Sequence, residues 1–307
     1  MNPSSTGVFR VSQTNLLADS ATLDRAIVAA RRRTLFPTLV TLLDRLSHEA
    51  ALQAEVIAWG CPVPAFGDLA GARVATLGLN PSNREFMDEY GGELAGDERR
   101  FHTLASLGLS SWEDADADDI EQILVSCREY FTGKPYDRWF RRLDAVISAT
   151  GASYYNPESP ACHLDLVPYA TGRKWGALTP RQRDGLIQLA GDTLGLLLRR
   201  SAIRVLILNG ESVVSYFQHA TGISLERAEM SEWALPRQAG AGVKGYRYLG
   251  RVDSMSGFPL PQELLVLGFN HNLQSSYGVT THVIESIRCW IGTVSQEALR
   301  SRAAVRT

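Results

Sequence analysis

The chain is short of cysteine, of net charge and of long apolar runs, and each shortage removes a class of function. Its four cysteines, Cys61, Cys127, Cys162 and Cys289, stand alone with no C-x-x-C spacing, which argues against a zinc or iron–sulfur site and against a disulfide framework. No metal or other cofactor is expected. No stretch reaches the roughly 18 consecutive apolar residues of a membrane span. The first residues carry no basic segment followed by an apolar one, so the reducing cytoplasm is the expected compartment and no membrane partner is expected. The formal net charge is −2 with a pI near 6.3, so the overall balance does not demand a polyanionic partner. Basic residues do cluster, at Arg31–Arg33, Arg99–Arg100, Arg138/Arg141/Arg142 and Arg173–Lys174, and taken singly these read as solvated helix faces.

What is present suffices for a large core: 307 residues, 45% of them hydrophobic. Residues 22–58 place apolar side chains at helical spacing and read as two helices divided at Pro37. Four apolar, β-branched-rich runs follow: RVATLGL (73–79), CHLDLV (162–167), IRVLILN (203–209) and ELLVLGF (263–269). They are nearly continuous in hydrophobicity and separated by helical stretches, as strands buried on both faces are. The expected fold is a three-layer αβα sandwich with a central four-stranded, mainly parallel sheet. A helical extension (1–60) precedes the α/β domain (61–295), and a short tail (296–307) follows it. Thr179 and Gln182 make a capping box with Pro180 at the first helical position, opening an amphipathic run to Arg200. WEDADADDIE (112–121) reads as an exposed loop and helix start, and the alternation in VKGYRYLGRV (243–252) as a hairpin or loop excursion within 225–262.

The first and last apolar strands end alike. VATLGLNPSNREF (74–86) runs into Gly78-Leu79-Asn80-Pro81-Ser82, and ELLVLGFNHNLQSSYG (263–278) into Asn270, His271 and Asn272. Open α/β sheets bind ligands beyond the carboxyl ends of their strands. An amide held there by a glycine and a proline makes Asn80 the leading site residue, and the imidazole of His271 reads as the other half of the same site.

In this arrangement the chain resembles the uracil-DNA glycosylase superfamily, whose first motif, Gly-x-Asn-Pro or Gly-x-Asp-Pro, follows the first strand and whose second, often opened by His, follows the last. Gly78-Leu79-Asn80-Pro81-Ser82 is similar to the Asn-type motif of the mismatch-specific and single-strand-selective branches. His271-Asn272-Leu273-Gln274-Ser275 stands in the second position but lacks the usual proline after His. The resemblance covers about 73–290 by strand order and rests on context, since Asn2-Pro3-Ser4 repeats the triplet with no strand before it. It implies a monofunctional DNA glycosylase whose partner is DNA and which needs no metal. Asn80 would position a water beneath C1′, and His271 would donate to base O2. Gly78, Leu79, Pro81, Ser82 and Asn272 would bound the base, with Phe86 or Phe101 stacking on it and Leu273 as the wedge. Arg173, Lys174, Ser275, Ser276 and Tyr277 would contact phosphates.

Two departures bear on the base. In the single-strand-selective branch the second strand ends in an Asn that reads the Watson–Crick edge, with a Pro three residues on; here Asp165 takes that place and Pro168 keeps the offset. An amide both donates and accepts, whereas a carboxylate only accepts. A carboxylate opposes uracil O4 but suits the N4 amino group of cytosine. Cytosine N3 is itself an acceptor, so a proton shared with the carboxyl is required. The bulky Tyr that closes the C5 side of the pocket in the uracil-specific branch is replaced by Ser82, which leaves room for a C5 substituent. A C5-modified cytosine, such as phage DNA carries, is the expected substrate. A uracil-DNA glycosylase, a small-molecule nucleoside N-glycosidase and a non-catalytic modified-base sensor are the alternatives.

Overall fold

The computed structural model describes residues 13–236, 242–274 and 278–300. The strands β1 (Val74–Gly78), β2 (Ala161–Asp165), β3 (Val205–Asn209), β4 (Glu226–Leu235), β5 (Val243–Met255) and β6 (Phe258–Phe269) form one sheet in the order β2-β1-β3-β6-β5-β4. Flanking it are α1 (Gln13–His48), α2 (Ala50–Gln53), α3 (Leu104–Leu107), α4 (Ala117–Arg128), α5 (Asp137–Ile147), α6 (Pro180–Ala190), α7 (Thr193–Leu198), α8 (Glu211–Thr221) and α9 (Thr281–Arg300). No helix among the described residues is long and apolar enough to cross a membrane.

The four apolar runs are the parallel part of the sheet, β2-β1-β3-β6, and every residue of β1, β2 and β3 is buried. The α/β sandwich is as expected, but the sheet has six strands and not four. β4 and β5 extend it antiparallel beside β6. β4 escapes a search for apolar runs because it is an edge strand whose exposed Glu226, Arg227, Glu229 and Glu232 guard it against pairing with another chain. β6 also begins earlier than its apolar run. Its first half pairs only with β5, and Leu265–Phe269 then join β3. The β5–β6 turn is Ser256-Gly257, both at positive φ (50° and 81°), as a type I′ hairpin requires. The 225–262 excursion is therefore built into the sheet. Because β5 runs against β6, Trp233, Leu235 and Val243 come to the end of the sheet where the parallel strands finish. The opposite edge is covered too, since Phe66 and His163 exchange both backbone hydrogen bonds at 2.9 Å.

α1 is one helix that passes through Pro37, and not two helices. A proline inside a helix costs about 3 kcal/mol. Beyond it Leu39, Leu42, Leu43 and Leu46 are buried in the same core as the sheet, and at roughly 1.5–3 kcal/mol for each such side chain burial outweighs that cost. Tyr169 OH donates to Leu42 O (2.9 Å) and Arg45 grips Asp192 through two bonds of 2.6 and 2.7 Å, fastening α1 to the rest. The run from Thr179 to Arg200 is divided into α6 and α7 at Gly191-Asp192, the point Arg45 holds. The Thr179–Gln182 capping box is present, and Asp116 caps α4 by accepting from Asp118 N and Asp119 N.

Candidate active site

The parallel register sets Gly78 beside Asp165, and the ladder runs on as Leu166 N donates to Gly78 O (3.2 Å) and Val167 N to Leu79 O (2.9 Å). A Cβ on Gly78 would lie 2.4 Å from Asp165 Oδ1 and 2.9 Å from His163 Nε2. Only glycine lets a carboxyl and an imidazole lie against the strand at this point. Asp165 is 3% exposed. Its Oδ1 stands 3.4 Å from His163 Nε2, and its Oδ2 has no hydrogen-bond donor among the described residues.

Behind Asp165 a polar chain enters the core. His163 Nδ1 is 2.6 Å from Thr76 Oγ1, which is 2.5 Å from Tyr154 OH, and all three residues are buried. Sequence reasoning passed over this chain because Thr76 and His163 sit inside apolar runs and Tyr154 lies in a separate segment between them. The available signal was that Thr76 and His163, the polar interruptions of two apolar strands, become direct partners once β1 and β2 pair in parallel.

Asn80 is half-buried on the loop after β1. Its Nδ2 donates to Pro81 O (3.0 Å), Thr171 Oγ1 (3.0 Å) and Tyr169 O (3.5 Å). Two of these partners are carbonyls, which only accept. The third, the Thr171 hydroxyl, spends its proton on Arg173 O at 2.6 Å. The amide orientation is thus fixed by chemistry, and Asn80 Oδ1 is left without a donor among the described residues. Asn83 Nδ2 donates to Gly172 O (3.3 Å), tying this loop to the one that carries Arg173 and Lys174, both exposed. Arg173 lies 3.9 Å from Glu55. Leu79 is half-buried, Pro81 is buried, and Ser82 is exposed and caps the 3-10 turn Asn83–Glu85 by accepting from Arg84 N at 3.2 Å.

That turn folds Glu85 inward, a residue the sequence reading did not single out. It is 3% exposed. Tyr130 OH donates to its Oε2 at 2.9 Å, and Arg100 Nε stands 4.0 Å from the same oxygen. Burial raises the Glu85 pKa to about 7; Arg100 and the Tyr130 bond pull it back, and the charge of Asp165 pushes it further up. Phe86 and Phe101, expected as stacking surfaces, are fully buried: Phe101 stacks on Tyr130 (5.2 Å between centroids) and Phe86 tilts against Phe101 (5.7 Å). They wall the core behind Glu85. The half-buried aromatic ring at the polar site is Trp139 of α5, edge-on to His163 with centroids 4.9 Å apart.

At the end of β6 the polar atoms are occupied differently. Asn270 accepts from Tyr246 N and donates to Lys244 O, both at 2.8 Å. His271 is buried, with Nε2 2.7 Å from Trp233 O; a carbonyl only accepts, so Nε2 carries the proton. Asn272 Oδ1 accepts from Gln274 N (3.0 Å), and Gln274 bonds Asn209 (2.6 Å) and Trp139 O (3.3 Å). Leu273 is fully buried, and Arg142 donates to its carbonyl at 2.9 Å. The wedge expectation fails at Leu273, because a side chain that fills the core does not project into a duplex. Ser275, Ser276 and Tyr277 lie outside the described residues.

Among the described residues no group of three or more His, Cys, Asp or Glu is placed to hold a metal ion. A cleft of about 490 Å³ opens around Arg45, Glu49, Gln188 and Asp192, and none of its lining residues belongs to the strand ends. No protein-family model matches the chain, and no curated protein matches it.

Proposed function

We propose that this chain is a DNA glycosylase that flips out and excises a C5-modified cytosine, leaving an abasic site. The observation that carries the reading is the pairing of Gly78 with Asp165. A glycine at the end of β1 opens the space for a buried carboxyl on the neighbouring strand, and the loop that follows β1 carries an amide; among the described residues neither Asp165 Oδ2 nor Asn80 Oδ1 has a donor. Asp165 accepts from N4–H of the base. Asn80 Oδ1 accepts from a water beneath C1′. As the C1′–N1 bond breaks, its electron pair leaves with the base, the water oxygen bonds to C1′, and the proton that the water loses passes through solvent to the departed base, which leaves neutral. The developing charge on base O2 needs a donor; His271 fills that role once its Nε2–H exchanges the Trp233 carbonyl for the base. Trp139 offers a stacking edge, and Arg173 and Lys174 line the approach as phosphate contacts.

Glu85 favours a second reading, a small-molecule nucleoside N-glycosidase, which uses a carboxylate nucleophile at the sugar. With a pKa near 7 it is half-neutral at neutral pH, and a neutral carboxyl is a poor nucleophile. One experiment separates the readings: end-labelled oligonucleotides, single- and double-stranded, carrying uracil, cytosine, 5-methyl-, 5-hydroxymethyl- or bulkier cytosines, incubated with protein and cleaved at abasic sites with alkali. The expected result is cleavage at C5-modified cytosine, and a shift toward uracil in Asp165→Asn as the amide regains a donor for O4. A wild-type protein that prefers uracil sinks the cytosine assignment. Release from free nucleosides, with a sugar trapped on Glu85, establishes the second reading instead.

A further inference from the structure

The polar chain behind Asp165 has one consistent placement of its protons. Tyr154 OH, Thr76 Oγ1 and a neutral His163 carry one hydrogen each, and three links are to be filled: Tyr154 with Thr76 (2.5 Å), Thr76 with His163 Nδ1 (2.6 Å), and His163 Nε2 toward Asp165 Oδ1 (3.4 Å). At the last of these a carboxylate only accepts, and a bare Nε2 would set its lone pair against the negative charge. The hydrogen therefore sits on Nε2. Nδ1 is then an acceptor and takes the Thr76 hydroxyl hydrogen, and Thr76 Oγ1, its own hydrogen spent, accepts from Tyr154, whose hydroxyl has no other partner among the described residues. The chain is directed from Tyr154 to Asp165. The imidazole is also held in place: it is 2% exposed, and Phe66, Trp139 and Phe140 stand around it with ring centroids 5.4, 4.9 and 5.4 Å away. Gly78 leaves the contact between Nε2 and Oδ1 clear on the side of β1.

Resting on the glycosylase reading, we propose that His163 is a positioning residue which, backed by Thr76 and Tyr154, pins Asp165 Oδ1 and so determines which atom Asp165 shows to the base. With Oδ1 turned to the imidazole, Oδ2 is the oxygen that accepts from the exocyclic N4–H of an amino-pyrimidine. The same polarity acts on an amide. In Asp165→Asn the carbonyl takes the side facing Nε2–H, so the amino group turns to the base and donates to uracil O4. Thr76 holds the tautomer in this arrangement: without its hydroxyl Nδ1 has no donor, the ring hydrogen is no longer confined to Nε2, and Asp165 loses a fixed partner. No covalent bond changes in this step, and no proton leaves the chain.

The test has two arms, and the first needs no activity. Histidine-selective ¹⁵N spectra of the full wild-type chain at neutral pH, with the His163 signals identified by their loss in His163→Gln, should show a neutral ring protonated at Nε2 and bare at Nδ1. A ring protonated at Nδ1, or at both nitrogens, overturns the directed chain. The second arm reads specificity. Thr76→Val keeps the shape of the side chain and removes its hydroxyl; in single-turnover release from oligonucleotides, the rate for 5-hydroxymethylcytosine relative to uracil should fall about tenfold, the worth of one hydrogen bond. Thr76→Ser keeps the hydroxyl and should stay close to wild type. A Thr76 that only fills the core gives the opposite order, with Val tolerated and the smaller Ser impaired, and that order, or an unmoved ratio in Thr76→Val, overturns the proposal. Failure of the wild-type protein to release any base overturns the glycosylase reading instead, and the ¹⁵N spectra then still decide the direction of the chain.

Discussion

At the end of β1, Asn80 keeps a carbonyl oxygen and its neighbour Asp165 a carboxylate oxygen with no donor among the described residues. At the end of β6, both ends of the Asn270 amide and the Nε2–H of His271 are bonded to the backbone of β5 and β4. Both ends looked alike as strings of residues. The difference comes from what stands beside each strand. β1 lies inside the parallel sheet, where β2 offers it a side chain. β6 is followed by two antiparallel strands whose carbonyls and amides take up the polar groups that a bare strand end would present. The open oxygens lie with the first pair, and the second motif fastens β4 and β5.

The largest effect is expected at Asn80. Asn80→Ala should lower single-turnover base release by two orders of magnitude or more, about 2.7 kcal/mol of barrier, with the thermal unfolding midpoint nearly unchanged; normal turnover in a folded variant would move the reaction elsewhere. Gly78→Ala comes next. Its Cβ cannot occupy a position 2.4 Å from Asp165 Oδ1, so the carboxyl must move. The expected outcome is a loss of about 1–3 kcal/mol in urea unfolding together with loss of preference among bases, and a variant that keeps both would show that the close approach is not used.

His271→Ala tests the fastening directly. Removing a buried donor from Trp233 O should cost roughly 1–3 kcal/mol of stability, with a rate loss smaller than that of Asn80→Ala. A rate loss of about 10²–10³, typical of a lost charge-stabilising donor, with stability intact, would reverse the comparison and make donation to the base, and not fastening, the main work of His271. The smallest effect lies far from the site. Arg45 holds the Asp192 carboxyl below its usual pKa, chiefly through their hydrogen bonds. A depressed carboxylate stabilises the fold above its unfolded pKa, and that contribution disappears as pH falls through the folded value. Both side chains are partly exposed (24% and 38%), so Asp192→Asn should cost less than about 1 kcal/mol at neutral pH and progressively less in acid. A constant difference across acid pH would show that the charge on Asp192 is not what matters.

The amino-acid sequence by itself determined the four parallel strands and the place of Asn80 at the end of the first, because a strand buried on both faces must be apolar along its length and its end is marked by glycine and proline. It also marked the helix start at Thr179, where the cap is a local bond between residues three apart, and placed another start within 112–121. It left open whatever depends on side chains meeting from distant positions. Pro37 reads as a break, and only the packing of the leucines beyond it made α1 continuous. Glu85 reads as one more charged residue until the turn after Ser82 carries it beneath Tyr130. Thr76 and His163 are single polar residues in separate apolar strands, and register alone makes them partners. Leu273 and Phe86 read as a wedge and a stacking surface only through the resemblance, and burial assigned them to the core. Tertiary structure decided these cases because burial, register and charge proximity are properties of pairs, which no single stretch of sequence contains.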